Sequence, residues 1–204
     1  MNHDVSSSKF WDDCYINHNT GWDLGMVTPV FKDWCDNLEK RYSIFVPGAG
    51  NGYDPLYFAS KGHNVTAVDF SKEAINNMND QAKKRKININ IINQDIFKLN
   101  SNLFNHFDYV IEYTCFCAID RIKRLDYIRV MSDILKKNGE LIGLFLPLLK
   151  DKKDGGPPYS ISIDKVINQF SNYFDVLESK KHVLSIEPRV DNEQYIHFKR
   201  KQQL

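Results

Sequence analysis

The stretch FVPGAGNGYD, residues 45–54, decides the reading of the fold. It sets three glycines, Gly48, Gly50 and Gly52, between the short apolar run SIFVP (43–47) and the helical segment GYDPLYFASKG (52–62). A strand that ends in glycines and opens a helix starts a βαβ unit. There the backbone either makes a tight turn or lets a ligand approach closely. The spacing is GxGxG, not the GxGxxG of the dinucleotide fingerprint, which favours a nucleoside over a pyrophosphate-bearing ligand.

Outward from this turn, strands and helices alternate. NVTAVDF (64–70) reads as a β-branched strand, and Ser71 as the N-cap of KEAINNMNDQAKKRK. INIIN (89–93) and FDYVIEYTCF (107–116) read as further strands. Asp120 is placed to cap RIKRLDYIRVMSDILKK, a helix closing at Asn138-Gly139, and ELIGLFLPL (140–148) is the fifth strand. KDKKDGGPPYS (150–160) is a loop, SIDKVINQFSNYF (162–174) a helix, and DVLESKKHVLSI (175–186) with EQYIHFKRK (193–201) an antiparallel pair. The pattern predicts an α/β, Rossmann-like fold: a seven-stranded, mostly parallel sheet with helices on both faces and a C-terminal antiparallel hairpin. Such a terminal hairpin distinguishes the nucleoside-binding fold of many S-adenosylmethionine (SAM) methyltransferases and disfavours a nicotinamide oxidoreductase. The whole chain, 1–204, is read as one domain, with 1–42 as an N-terminal helical and aromatic cap in which Thr28 is read as the cap of a helix with Pro29 at its first position.

Composition narrows the function. A chain of 204 residues, 42% hydrophobic and 26% charged, suits one globular α/β or α+β domain with a sizeable core, and a net charge of +1 gives no sign of a nucleic-acid binder. KKRK (83–86) is short and reads as a solvated helix end. The longest apolar run, LIGLFLPLL (141–149), is too short to span a bilayer, and the first 13 residues lack a secretory pattern. Cys14, Cys35, Cys115 and Cys117 have no CxxC spacing, so they are expected as thiols in a reducing cytoplasm, with Cys115 and Cys117 on one strand face. The six histidines, His3 among them, are scattered without zinc spacing, so no metal is expected. A monomer acting on a small molecule is the expectation.

Candidate site residues cluster at predicted strand ends. Asp69 closes the second strand, where an acid accepts hydrogen bonds from both ribose hydroxyls or else caps the next helix. Phe70 follows it in the same cofactor set. Asp95 closes the third strand, placed for an adenine amino group with Ile96 on the ring, or else as a turn aspartate. Glu112 and Tyr113 close the fourth. Trp11, Tyr15 and Trp22 crowd the N-terminal stretch, either clamping it to the domain or covering a cofactor whose sulfonium attracts aromatic faces.

Taken together, FWDDCYINHNTGWDLGMVTP, VPGAGNGYD, VDFSKEAI, FDYVIEYTCFCAID, LKKNGELIGLFLPL and DGGPPYSIS resemble the thiopurine methyltransferase superfamily, most of all its halide and thiol methyltransferase branch. The resemblance runs from about residue 10 to residue 172. It implies cofactor contacts from Trp11, Tyr15, Trp22, Gly48, Asp69, Asp95, Ile96 and Tyr113, with Gly50 in the same turn. It implies SAM as methyl donor, S-adenosylhomocysteine as product, and a thiol, hydrosulfide or halide as acceptor. A thiopurine or aryl-thiol acceptor, or a SAM-binding module without turnover, is the alternative. Tyr15 stands where plant members carry tryptophan, Leu146 where they often carry tyrosine, and Met26 where many relatives carry arginine. These differences put larger, more apolar thiols beside halide ions as acceptors.

Methyl transfer from a sulfonium to a thiolate is an in-line displacement that annihilates charge, so orientation and a dry pocket supply much of the rate. A base is useful only if the thiol arrives protonated, and Glu112 and Asp120 are the candidates. Glu112 serves equally to hold the cofactor's amino end, and Asp120 to cap its helix. Tyr159, in GGPPY, is placed on a loop that folds over the acceptor or merely connects two elements.

Overall fold

A computed structural model describes residues 4–202. It is an α/β fold with a seven-stranded, mostly parallel sheet that ends in an antiparallel hairpin. The chain divides into two compact units, Met1–Lys98 and Leu99–Leu204.

The first unit opens with helices α1 (Ser8–Ile16) and α2 (Pro29–Asp36). Strand β1 (Ser43–Pro47), helix α3 (Tyr53–Ser60), strand β2 (Asn64–Asp69), helix α4 (Lys72–Arg85) and strand β3 (Asn90–Asn93) follow. Its strands are parallel, in the order β3-β2-β1. Every residue of β2 from Val65 to Asp69 is buried, which requires cover on both faces of the strand. Leu56 of α3 and Ala67 of β2 pack with Ile75, Met78 and Ala82 of α4 in one apolar cluster. Gly52 permits that approach: a Cβ there would lie 2.4 Å from the Met78 side chain.

Two predicted caps differ in detail. Thr28 occupies the N-cap position of α2 but does not cap it; its backbone N–H and hydroxyl both donate to Asp54, at 2.8 and 2.9 Å. Burial pushes the Asp54 carboxyl up to about 6 against these two bonds. Ser71 does cap α4, accepting from Ala74 N–H at 3.2 Å. A residue outside the helix completes this cap. Asp12 of α1 accepts from the Ser71 hydroxyl at 2.7 Å and from Glu73 N–H at 3.2 Å. The N-terminal helix is thereby latched to α4 by a carboxylate at the positive end of the helix dipole.

The second unit holds strands β4 (Phe107–Tyr113), β5 (Leu135–Phe145), β6 (Phe174–Lys180) and β7 (Gln194–Arg200), with helices α5 (Arg124–Ile134) and α6 (Ile163–Phe170). β4 and β5 are parallel; β7 runs antiparallel to both β5 and β6. The core is aromatic: Phe170 stacks on Phe198 at 4.6 Å, with Phe116, Phe145 and Phe174 edge-on or tilted around them.

Several boundaries depart from the sequence reading. The helix expected over 162–174 ends at Phe170, and Phe174 already opens β6; the strand expected over 140–148 spans Leu135–Phe145. Helix α5 ends at Ile134, not at Lys137, because Leu135 is already extended and pairs with Phe107; the chain then bulges through Asn138, at φ 63°, before Glu140 rejoins the ladder. β4 ends at Tyr113, because Thr114 takes φ 61° and turns the chain. Cys115 and Cys117 therefore lie on that turn, not on a strand face. The strand expected over 175–186 stops at Lys180, and turns follow it. Among the described residues, no helix is long and apolar enough to cross a membrane.

The latch yields a direct expectation. Asp12→Ala should lower stability by about 1 kcal/mol, the scale of a lost helix cap. Urea unfolding reads this as a lower midpoint at unchanged slope; an unaltered midpoint would show that the latch contributes nothing.

Candidate active site

In the first unit the glycine turn is held by backbone angles that side chains resist. Gly48, Gly50 and Gly52 all lie at positive φ, 57°, 55° and 79°. Ala49 N–H donates to Val68 C=O at 3.0 Å, which ties the turn to β2. The Asp69 carboxylate then spans two backbone donors. Its Oδ2 accepts from Gly50 N–H and its Oδ1 from Ser71 N–H, both at 2.9 Å. Asp69 is only 8% exposed. Burial raises its pKa, the N–H groups of Ser71, Gly50 and Phe70 oppose the rise, and the nearby Asp12 charge adds to it.

The aromatic residues assemble beside this turn. A Cβ on Gly50 would sit 2.9 Å from the Tyr15 hydroxyl, so the tyrosine occupies the space that a side chain would need. Tyr15 meets Trp22 edge-to-face at 5.8 Å and also shares a side-chain hydrogen bond with it. Trp11 meets Trp22 edge-to-face at 5.3 Å, and its indole N–H donates to Val5 C=O at 3.0 Å. All three rings are half-buried. Desolvation, with the Asp69 charge second, holds the Tyr15 phenol well above its ordinary pKa, so it stays neutral. The next residue after Trp22 also grips the turn: Asp23 accepts from the Asn51 side-chain amide and, at 2.6 Å, from Gly25 N–H.

The end of β3 is bound to the same place. Gln94 N–H and the Asn93 side-chain amide donate to Asp69 C=O at 3.0 and 3.1 Å. Asp95 follows, half-buried, accepting from Phe97 N–H at 3.0 Å and pairing with Lys98 at 3.4 Å. Ile96 and Phe70 are half-buried as well. The first unit thus gathers nine of the ten predicted cofactor residues; Tyr113 belongs to the second unit.

In the second unit Glu112 is 1% exposed and both its oxygens are engaged. Oε1 accepts from Phe116 N–H at 2.7 Å and Oε2 from the Tyr127 hydroxyl. Burial pushes its carboxyl up to about 7, with those two bonds, Cys115 N–H and the Arg124 charge pulling the other way. Tyr113 is half-buried at the end of β4. Asp120 accepts from Ile122 N–H at 3.1 Å and caps the single turn over 121–123. Tyr159 is fastened by its backbone N–H to Cys117 C=O at 2.7 Å, and the Arg121 guanidinium lies over its ring at 5.1 Å. Burial, with the Glu112 charge second, pushes the Cys117 thiol up to about 12. Among the described residues no cluster of histidine, cysteine or carboxylate residues could hold a metal ion; His3 lies outside them.

The residues that sequence reasoning missed are the fasteners: Asp12, Asp23, Asn51 and Tyr127. The partner of Asp12 lies 59 residues away, and that of Tyr127 15 away across a turn and a helix start, so no local spacing marks either pair. Asn51 had one available signal, as an amide inside a glycine turn.

The donors of the first unit fit an adenosyl group. Each Asp69 oxygen holds one N–H and keeps acceptor capacity for a vicinal diol. The turn offers unshielded backbone without a phosphate cradle, and half-exposed rings stand beside it. Comparison with known proteins agrees. Residues 6–203 match the family model described as Thiopurine S-methyltransferase. The Arabidopsis thaliana protein named probable thiol methyltransferase 2 is 30% identical over 90% of this chain and 81% of its own length. The Brassica oleracea thiocyanate methyltransferase 1 is 32% identical over 82% and 70%. Among solved structures, Burkholderia thailandensis 1,6-didemethyltoxoflavin-N1-methyltransferase, with bound S-adenosylhomocysteine, has the same fold at a TM-score of 0.76 and 16% identity, covering 98% of this chain and 88% of that one. The chain belongs to the thiopurine S-methyltransferase family and is a SAM-dependent methyltransferase.

Proposed function

We propose that this enzyme methylates the sulfur of a small thiol, hydrosulfide included, with halide ions as further acceptors. One observation carries the choice within the family. The thiol and thiocyanate methyltransferase relatives share 30% and 32% identity with this chain, against 27% for the thiopurine S-methyltransferase of Shewanella woodyi. The buried, apolar Leu146, 2% exposed, is in keeping with an acceptor that asks for little polar contact.

Bound SAM supplies a methyl group on a positively charged sulfur. The chain's own residues do the rest. Asp69 would hold the ribose hydroxyls, with Gly48 and Gly50 giving backbone approach. Asp95 and Ile96 would take the adenine end, beside Phe70. Trp11, Tyr15 and Trp22 would cover the ligand and exclude water, and Tyr113 would contact its reactive end. Because thiolate and sulfonium neutralise one another, water opposes the reaction and a dry surround favours it.

No enzyme nucleophile is needed. At a pKa near 12, Cys117 stays a thiol at neutral pH, and thiols attack poorly. Glu112 is sealed from solvent and bonded to Tyr127 and Phe116 N–H, so it braces the 113–117 turn and does not meet the acceptor. Asp120 caps its turn. Of the three residues expected in catalysis, Tyr159 is the one to contact the acceptor, and the thiol enters as its thiolate.

The direct test is a methyl-transfer screen with hydrosulfide, iodide, small alkyl thiols and aryl thiols, read by methylated product and S-adenosylhomocysteine. Hydrosulfide or alkyl thiols should give the highest kcat/KM; turnover confined to aryl thiols would overturn the choice of acceptor.

Asp69→Ala should weaken SAM binding at least tenfold, the loss of one or two charge-assisted hydrogen bonds. Calorimetry with undiminished affinity would contradict the assignment of the ribose site.

Glu112→Gln separates a turn-holding role from a base. The folded-state pKa of about 7 lies above the ordinary 4.5, so the folded protein holds this proton more tightly than the unfolded chain. That contribution is complete below pH 4.5 and is lost as pH rises to 7. The variant lacks it, so its stability relative to the parent should climb across this window, while activity at pH 8 stays within about tenfold. A loss of about 10²-fold or more in kcat, with the fold intact, would identify a general base instead.

A further inference from the structure

A cavity of about 200 Å³ is lined wholly by residues of the second unit. Four cations line it, Arg121, Arg124, Lys152 and Lys165, together with Ser160 and Ser162, and no aspartate or glutamate does. Arg121, Lys152 and Lys165 are exposed at its rim, while Arg124 is 7% exposed. The Arg124 guanidinium lies over the Phe116 ring at 4.7 Å, and its Nε and Nη2 are buried without a hydrogen-bond partner. Neither buried acid of this unit hydrogen-bonds to them: Glu112 accepts from Tyr127 and Phe116, and Glu193 accepts from the Ser185 hydroxyl.

This arrangement is costly as it stands. A buried guanidinium with two unmet donors loses hydration and gains no bond in return. Three further like charges at the same cavity raise the cost by repulsion. Serine hydroxyls add neutral donors and no negative charge. Every one of these terms is offset by a single kind of occupant. We propose that the cavity is a binding site for a small oxyanion, the phosphate, sulfate or carboxylate group of a soluble molecule. Arg124 anchors it with a planar fork of donors, Arg121, Lys152 and Lys165 close around it as mobile charges, and Ser160 and Ser162 donate from the loop. The inference does not depend on the methyl-transfer reading, since it concerns binding in the absence of SAM.

The test is calorimetric titration of the purified enzyme with sodium phosphate against sodium chloride at matched ionic strength, with thermal unfolding in parallel. Phosphate should bind one site with millimolar or tighter affinity and raise Tm beyond the chloride control. Arg121→Gln combined with Lys165→Gln alters only exposed side chains and should weaken phosphate binding at least tenfold with the circular dichroism unchanged. Arg124→Lys keeps the buried charge but removes the fork, and should weaken binding as well. Phosphate heats and Tm shifts equal to those of chloride would overturn the proposal, as would undiminished phosphate affinity in the double variant.

Discussion

One buried carboxylate organises the first unit. Asp69 lies at the end of β2 and joins the glycine turn, through Gly50 N–H, to the start of α4, through Ser71 N–H. Burying an acid costs free energy, and the shift of its pKa above the ordinary carboxylate value records that cost. The two N–H bonds offset part of it and at the same time fix two loops that would otherwise move separately. The Asp69 backbone works too: its carbonyl takes Gln94 N–H and the Asn93 amide, which brings the end of β3 into line. Removing this side chain would therefore loosen the rim of a parallel sheet.

The second unit repeats the device with a different outcome. Glu112 also lies at a strand's end, buried, bracing the turn that follows through Phe116 N–H. The contrast lies in the second oxygen. That of Asp69 meets only a backbone N–H, whereas that of Glu112 is closed by the Tyr127 hydroxyl within the core. Asp69 keeps 8% of its surface exposed, whereas Glu112 keeps 1% and is sealed within the fold. Its raised pKa reflects desolvation, which by itself does not make a base, since a base must also reach the proton it takes.

Much of this architecture was legible in the sequence, and the reason is local physics. The strands β1, β2 and β3 announce themselves as short apolar or β-branched runs between breakers, and Gly48, Gly50 and Gly52 have no better use than the left-handed angles they adopt. The failures are equally physical. Leu135 continues the helical periodicity of α5 but is wholly buried as a strand residue beside Phe107, a choice made by long-range pairing. Thr114 ends β4 with a left-handed angle that a β-branched residue seldom takes, so nothing in FDYVIEYTCF signals the stop. At the candidate site, Asp69 was marked by its place at a strand end beyond the glycine turn, and its carboxylate bridges that turn and the start of α4. Asp12 and Asp23, which fasten one segment to another, were not so marked, because their partners are fixed only by the tertiary fold.

Those fasteners hold the aromatic segment without burying its rings. Here the grip is polar: Asp12 seizes the cap of α4, and Asp23 seizes Asn51 of the glycine turn. The rings of Trp11, Tyr15 and Trp22 meet one another edge-to-face and stay half-exposed. Tyr15 shows the fit most sharply, since its hydroxyl fills the space where Gly50 has no Cβ. Gly50 is thus required twice, once by a backbone angle of φ +55° and once by the phenol standing over it. A larger residue at position 50 would have to strain the turn and displace Tyr15 in the same step, which couples the glycine turn to the aromatic segment.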